Sequence, residues 1–199
     1  MTQSKADRST HGVAEMAPDL QAFRSTFGLF PTGVAVIATQ VGDELHAMTA
    51  NAVSSVSLDP MLVLFCPGKK SRLAGYLPRM QSFSVNFLRE EQQALSTFFA
   101  GGWKAAPPPF RFVSDGAAPR LEGALASVNC ALHERIDCGD HWVVVGRVSA
   151  LHQGVEPYRP LVYFNGRYSS VDLADATPAP DFLSVTDEPP QIFYDGWHD

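Results

Sequence analysis

Residues 48–60 read MTANAVSSVSLDP, and residues 61–66 continue directly with the apolar run MLVLFC. The first stretch is built mostly from small, uncharged residues, several with hydroxyl groups and one, Asn51, with an amide. The second stretch is typical of a buried β-strand, which ends at Pro67 and Gly68. Two interpretations of the polar stretch are open. It is either a turn whose side chains bond their own backbone, or a set of hydrogen-bonding groups that faces a flat, polar ligand.

Strands dominate the pattern on both sides of this stretch, and helices fall at the connections between them. β-branched and aromatic runs bounded by turn residues predict strands over 33–39, 46–57, 61–66, 83–88, 126–136, 142–151 and 161–168. Apolar residues at helical spacing predict helices over 18–30, 71–77 and 90–99. The three consecutive prolines within residues 103–110 predict an extended loop.

The composition agrees with a single β-rich domain. The chain has 199 residues, is 45% hydrophobic and only 18% charged, and contains 15 glycines and 15 prolines, which indicates many turns. Strands and helices do not alternate regularly, which argues against a Rossmann sheet. Six or seven strands of this length suit a small closed barrel, because closure removes exposed sheet edges.

The two ends of the chain differ from the middle. Residues 1–17 are polar and lack periodicity, so we expect a flexible N-terminal arm before a domain over 18–170. Residues 171–199 are acidic and rich in proline, yet they contain the aromatic runs DFLSVTD and QIFYDGWHD. We expect this tail to dock on the domain or on a dimer partner.

Charge and hydropathy exclude several kinds of partner. The formal net charge of −6 disfavours binding to nucleic acid or to an anionic membrane. No apolar run approaches the roughly 20 residues that cross a bilayer, and the first residues do not resemble a secretory signal.

Three cysteines without CxxC spacing favour the reducing cytoplasm. Cys66 and Cys130 are expected to be small buried side chains, whereas Cys138 lies near a turn.

Several short motifs, taken in order, carry a family resemblance. They are PTGVAVIAT (31–39), the polar stretch running into LVLFC, FSVNFL (83–88), FFAGG (98–102) and GDHWVVVGRV (139–148). Their order and spacing over residues 23–168 resemble the flavin reductase family of NAD(P)H-dependent enzymes. The resemblance implies a mainly β fold, a split β-barrel of the Greek-key, FMN-binding type with two or three connecting helices.

The resemblance also implies which residues meet the ligands. It places a flavin against Thr32, Gly33, Thr49, Ala50, Asn51, Ser54 and Ser55, with Cys66 and Tyr168 in the same lining. In PGKKSR (67–72) it assigns Lys70 and Ser71 to the flavin phosphate, although a solvated run of charges would look the same. It places His141 where nicotinamide meets flavin, with Asp140 orienting the imidazole. The run HERIDCGDH (133–141) shows no recognised metal-ligand spacing, and we expect no metal site.

The implied function is hydride transfer from NADH or NADPH to FMN or FAD, with reduced flavin passed to a partner oxygenase. The resemblance also implies a homodimer, to whose interface the proline-rich loop over 105–112 would belong. A flavin-carrying electron-transfer protein that does not turn over pyridine nucleotide is the alternative. The residues do not distinguish FMN from FAD or NADH from NADPH.

Overall fold

The structure is a computed structural model that describes residues 18–114 and 116–171, so the arm and nearly all of the tail lie outside the described residues. The described part contains two α-helices, α1 (Leu20–Gly28) and α2 (Gln93–Phe99), and two 3-10 helices, Leu73–Tyr76 and Glu90–Gln92. Its strands are β1 (Thr32–Gly33), β2 (Ala35–Val41), β3 (Glu44–Ala50), β4 (Val53–Leu58), β5 (Met61–Phe65), β6 (Ser82–Phe87), β7 (Phe112–Val113), β8 (Arg120–Leu121), β9 (Ala126–Cys138), β10 (His141–Gln153), β11 (Leu161–Phe164) and β12 (Arg167–Ser170).

Seven strands form one antiparallel sheet that curls into a split barrel. The strand order is β3-β2-β6-β9-β10-β5-β4, so β3 and β4 are consecutive in sequence but lie at opposite edges. Only Asn51 and Ala52 join them. The three chain steps from Ala50 to Val53 span at most about 11 Å, so the two sheet edges must approach each other. The predicted mainly β, split-barrel fold class is confirmed.

Two predicted strands are each divided in the structure. The strand predicted over 46–57 is interrupted at Asn51 and Ala52, because its halves pair with β2 and with β5 at opposite edges of the sheet. The strand predicted over 161–168 is a hairpin of β11 and β12. Asn165 and Gly166 have φ of 47° and 75°, the left-handed pair that a two-residue hairpin turn requires.

The core has two parts, one on each face of β2. Ile37 packs inside the barrel with Phe65, Phe83 and other buried residues. Its neighbour Val36 points to the opposite face, into a second cluster that includes Leu95 of α2. Successive strand residues face opposite sides, so a strand buried on both faces requires an unbroken apolar run, as GVAVIAT shows.

The predicted helices form at the connections between strands, but they are shorter than predicted, and some of their turns are 3-10 helix. The helix predicted over 71–77 is the 3-10 helix Leu73–Tyr76, and that over 90–99 is a 3-10 turn followed by α2. The helix predicted over 18–30 is α1, which begins after Asp19, whose carboxylate accepts a hydrogen bond from the Ala22 N–H at 2.7 Å. Among the described helices, none has the length and apolar character needed to cross a membrane.

Candidate functional site

A cavity of about 530 Å³ is lined in part by Asn51, in the link between β3 and β4, the two edge strands of the split barrel. We call it the split cavity. Small polar residues from three separate places line one part of it, and apolar side chains from the barrel line the rest. The lining residues are Thr32, Gly33, Asn51, Ser54 and Ser55, together with Phe30, Pro31, Ala35, Val53, Val63, Val85, Phe87 and Val128.

The polar residues of the split cavity retain unused hydrogen-bonding capacity. Asn51 makes one long bond, in which its Nδ2 donates to Thr32 Oγ1 at 3.4 Å. Ser54 donates to the backbone carbonyl of Ser55 at 2.9 Å, which is the local bonding that the turn interpretation expects. A β-bulge follows Ser55 in the pairing of β4 with β5. Neutral donors and acceptors therefore face an apolar wall, an arrangement that fits a flat ring with a polar edge.

Four residues predicted to line the flavin do not line this cavity: Thr49, Ala50, Cys66 and Tyr168. Thr49 donates from its hydroxyl to the Ser96 carbonyl at 2.7 Å. The Tyr168 hydroxyl lies 2.8 Å from Ser96 Oγ, so Thr49 connects β3 to α2 and Tyr168 connects β12 to α2. Ala50, next to Asn51, is buried in the barrel core.

Cys66 is half-buried beside the link between β3 and β4, rather than buried like Cys130. Its backbone N–H donates to the Ala52 carbonyl at 3.1 Å. Burial raises the pKa of the Cys66 thiol, and the Cys138 thiol adds to the effect. Cys66 is thus a protonated side chain that neighbours the split cavity, and Cys138 is exposed near the β9–β10 turn, as its sequence position indicated.

The structure brings together two motifs that are far apart in the sequence. The turn at Gly139 and Asp140 packs against the loop that follows β5. Lys69 N–H donates to the Asp140 carbonyl at 2.9 Å, and Trp142 N–H donates to the Pro67 carbonyl at 3.0 Å. PGKKSR and GDHW therefore form one surface.

His141 is the first residue of β10 and is half-exposed. Its Nδ1 lies 2.7 Å from Asp140 Oδ1. That hydrogen bond and the imidazole charge hold the pKa of the Asp140 carboxyl below its ordinary value of 3.8. Because Asp140 occupies Nδ1, Nε2 is the ring atom left to meet a ligand; it lies on the side of Gly68. Asp140 therefore contacts the ring through Nδ1, and its role in orienting the imidazole toward a ligand stays a prediction.

The two lysines of PGKKSR differ in their contacts. Lys69 Nζ lies 2.5 Å from Asp137 Oδ1 and 5.3 Å from the centre of the Trp142 ring. Its ammonium group therefore already has partners within the protein. Lys70 makes no hydrogen bond or ion pair with any described residue. Ser71 Oγ accepts from the Ala74 N–H at 3.2 Å, which leaves its hydroxyl hydrogen free to donate. Lys70 and Ser71 are therefore available to an anion, and so is the exposed guanidinium of Arg72 at the end of the same loop.

Residues 27–172 match the family model described as the flavin reductase like domain. The chain belongs to the flavin reductase-like family. This membership confirms the family expected from the motifs and the predicted enzyme class, an oxidoreductase that reduces flavin.

Similar proteins match most of this flavin reductase-like chain. HsaB of Rhodococcus jostii (strain RHA1), the reductase subunit of a flavin-dependent monooxygenase, is 37% identical over 172 residues, 84% of this chain and 86% of that protein. The NADH-dependent FMN reductase AsuE2 of Streptomyces nodosus subsp. asukaensis is 37% identical over 166 residues, 77% of this chain and 86% of its own. The solved structure of the NADH:FAD oxidoreductase SgcE6 of Streptomyces globisporus has a TM-score of 0.71 at 33% identity, covering 82% of this chain and all of that one.

Some features of the site were not predicted from the sequence. The apolar wall contains Val63, Val85 and Val128, from three strands that are distant in the sequence. Nothing distinguishes these valines from other strand residues, so no local signal could have identified them. Within residues 18–114 and 116–171, no three His, Cys, Asp or Glu side chains are grouped so that they could hold a metal ion.

Proposed function

We propose that the split cavity binds the isoalloxazine ring of FMN or FAD. Thr32, Asn51, Ser54 and Ser55 would bond the polar edge of the ring, and the valine wall would pack against its apolar part. The observation that carries this proposal is the meeting of neutral polar groups and an apolar wall in one cavity of about 530 Å³. This volume lies within the range of about 300–1,000 Å³ that is usual for small-ligand sites.

The loop after β5 supplies the charge for the flavin phosphate in this proposal. Lys70 forms no ion pair with a residue that the structure describes, and Ser71 retains a hydroxyl donor. The chain carries a net negative charge, so a lysine in the loop after β5 gives an anion a local attraction that the whole molecule does not. Lys69 contributes less, because Asp137 already neutralises it.

His141 and Asp140 would position the nicotinamide. When bound, the two cofactors would supply the hydride chemistry, from C4 of a reduced nicotinamide to N5 of the flavin. The protein holds the rings and excludes water. Asp140 holds Nδ1 of His141, so Nε2 can bond the nicotinamide amide or supply positive charge where negative charge accumulates.

The reduced flavin would pass to a partner oxygenase. HsaB, to which this chain is similar over most of its length, is by name the reductase subunit of a flavin-dependent monooxygenase.

The exposed apolar side chains of α1 and the loop over 105–112 would contribute to a homodimer. NADH is the favoured donor, since AsuE2 is by name NADH-dependent.

The proposal is tested by following NADH oxidation by the purified chain at increasing FMN and FAD concentrations. We expect turnover that rises with added flavin and then saturates. A yellow protein that oxidises neither NADH nor NADPH would instead be a flavin carrier. A colourless protein that binds no flavin in a titration would contradict the flavin assignment itself.

The role of His141 is tested by His141→Ala. We expect at least about a tenfold loss in the rate of flavin reduction, because the group that orients the nicotinamide is removed, with the flavin Kd changed less than about threefold. Stopped-flow absorbance measures the rate and flavin fluorescence the Kd. The matched control is His133→Ala, an exposed histidine on the same hairpin. Equal rates in His141→Ala and the parent would remove the assigned role.

A further inference from the structure

A second cavity, of about 660 Å³, lies beside β3. We call it the edge cavity. Four consecutive residues of β3, Glu44 to Ala47, line it. Successive strand residues point to opposite faces, so a cavity that reaches all four must extend around the edge of the strand. β2 occupies one edge of β3, and the cavity therefore lies at the edge that pairs with no described strand.

Aromatic groups form much of the wall of the edge cavity. The rings of His46 and Tyr76 are stacked with centroids 3.4 Å apart and an interplanar angle of 21°. Phe98, Phe99 and Trp103 also line the cavity, and the Trp103 indole donates to the Ala106 carbonyl at 2.7 Å. Rings of this kind bind a planar base by stacking, whatever the base.

Two charged groups give the cavity a polar end. Arg72 is exposed, and its guanidinium has no hydrogen bond or ion pair with the described residues. A guanidinium with unused donors suits a phosphate. Glu44 lies 3.4 Å from His46 Nε2 and would repel a phosphate placed next to it. Its carboxylate can instead accept hydrogen bonds from ribose hydroxyls, as acidic residues do in nucleotide sites.

One short loop connects the edge cavity to the split cavity. It begins at Cys66, which bonds to Ala52 beside the split cavity. It continues through Lys70 and Ser71, the groups proposed for the flavin phosphate, and ends at Arg72 in the wall of the edge cavity. A ligand with a reactive ring, a central phosphate group and a purine would meet matching groups in that order.

We propose that the edge cavity binds the adenosine 5′-phosphate part of a dinucleotide whose reactive ring lies in the split cavity, an inference that rests on the proposed function. Both FAD and NADH carry this group, whereas FMN and reduced nicotinamide mononucleotide lack it. The site would therefore distinguish each dinucleotide from its mononucleotide.

The test compares Arg72→Gln with the parent and with Arg79→Gln. Arg79 is a suitable control because it is exposed and lies 5.5 Å from the Tyr76 ring, but does not line the cavity. Kd values are measured for FMN and FAD, and KM values for NADH and reduced nicotinamide mononucleotide. We expect Arg72→Gln to weaken one dinucleotide by about tenfold or more, because a charge-assisted bond is lost. The corresponding mononucleotide would change by less than about twofold.

The pattern of loss identifies the source of the adenylate. A loss for FAD with FMN unchanged assigns it to the flavin, and a loss for NADH with the mononucleotide unchanged assigns it to the donor. Unchanged values for both dinucleotides, or equal losses for a dinucleotide and its mononucleotide, would overturn the proposal.

A separate calorimetric titration with AMP keeps this proposal distinct from the proposed function. AMP binding that Arg72→Gln weakens and Arg79→Gln does not would support the edge cavity even in a chain that fails to reduce flavin. If AMP does not bind the parent chain while FMN does and is reduced, the edge-cavity proposal fails and the proposed function stands.

Discussion

Asn86 shows what a single buried side chain does in this fold. It is completely buried near the end of β6, a strand in which polar and apolar residues alternate from Ser82 to Phe87. Its Nδ2 donates to the Val36 carbonyl and to Ser84 Oγ, each at 2.9 Å. Its Oδ1 accepts from Leu121 N–H and from Ser127 Oγ, each at 2.8 Å. The amide is fully bonded and joins β6 to β2, β8 and β9.

Asn86→Ala is expected to lower the free energy of unfolding by about 2–4 kcal/mol, because it leaves buried backbone groups unpaired and opens a small cavity. Urea denaturation followed by tryptophan fluorescence measures the loss. Asn51→Ala is the control, since Asn51 is exposed and makes only one long bond. We expect a change within about 0.5 kcal/mol there. Equal loss in both variants would show that the network around Asn86 adds nothing.

The long β9–β10 hairpin shows how one element depends on a single glycine. The register between the two strands shifts at Val145 and Gly146. A Cβ built on Gly146 would lie 2.4 Å from Phe83 Cζ and 2.7 Å from Cys130 Cβ. Phe83 and Cys130 are both fully buried in the barrel core, so neither can move aside. Gly146 thus allows β10 to lie close against the core.

Gly146→Ala is expected to destabilise the protein by about 1–3 kcal/mol through overpacking. The thermal midpoint and the urea midpoint measure this effect. Gly75→Ala is the matched control, because a Cβ there meets no atom within 4 Å and φ is not in the left-handed range. We expect Gly75→Ala to be neutral or slightly stabilising, since alanine restricts the unfolded chain. A Gly146→Ala variant as stable as Gly75→Ala would contradict the close packing.

At the scale of the whole molecule, α1 has an apolar face that the described chain does not cover. Phe23 and Phe27 remain 59% and 62% exposed, and Leu20, Leu29 and Phe30 are exposed to a similar degree. None of the residues in α1 is buried. Phe30 also lines the split cavity, so this apolar surface is continuous with the proposed flavin site. A contiguous apolar surface of this kind is typical of a subunit interface.

Phe27→Glu is expected to raise the dissociation constant of the proposed homodimer by about tenfold or more, because a buried aromatic anchor becomes a charge. Sedimentation equilibrium measures the constant, and circular dichroism confirms that the variant folds. Leu58→Glu is the control, since Leu58 is 71% exposed and lies at the end of another element, β4. A parent chain that is monomeric at all concentrations would contradict the homodimer, and equal dimerisation of the two variants would exclude α1 from the interface.

The sequence by itself determined the features that depend on near neighbours. The helix start at Asp19, the hairpin between β2 and β3 and the continuous apolar run of β2 follow from residues within a few positions of one another. The polar candidates Thr32, Asn51, Ser54 and Ser55 were also found from the sequence, and the structure brings them to one cavity.

The tertiary structure alone decided how these strands, helices and side chains pack together. The break at Asn51 and Ala52 arises because β3 and β4 pair at opposite edges of a curled sheet. Residues close to this break in the sequence do not predict it. The same curvature sets Val63, Val85 and Val128 side by side and leaves the edge of β3 open. It also gives Thr49 a partner in α2 instead of the cavity. The physical reason is that side-chain direction follows strand register and sheet curvature, and both are set by contacts between residues far apart in the chain.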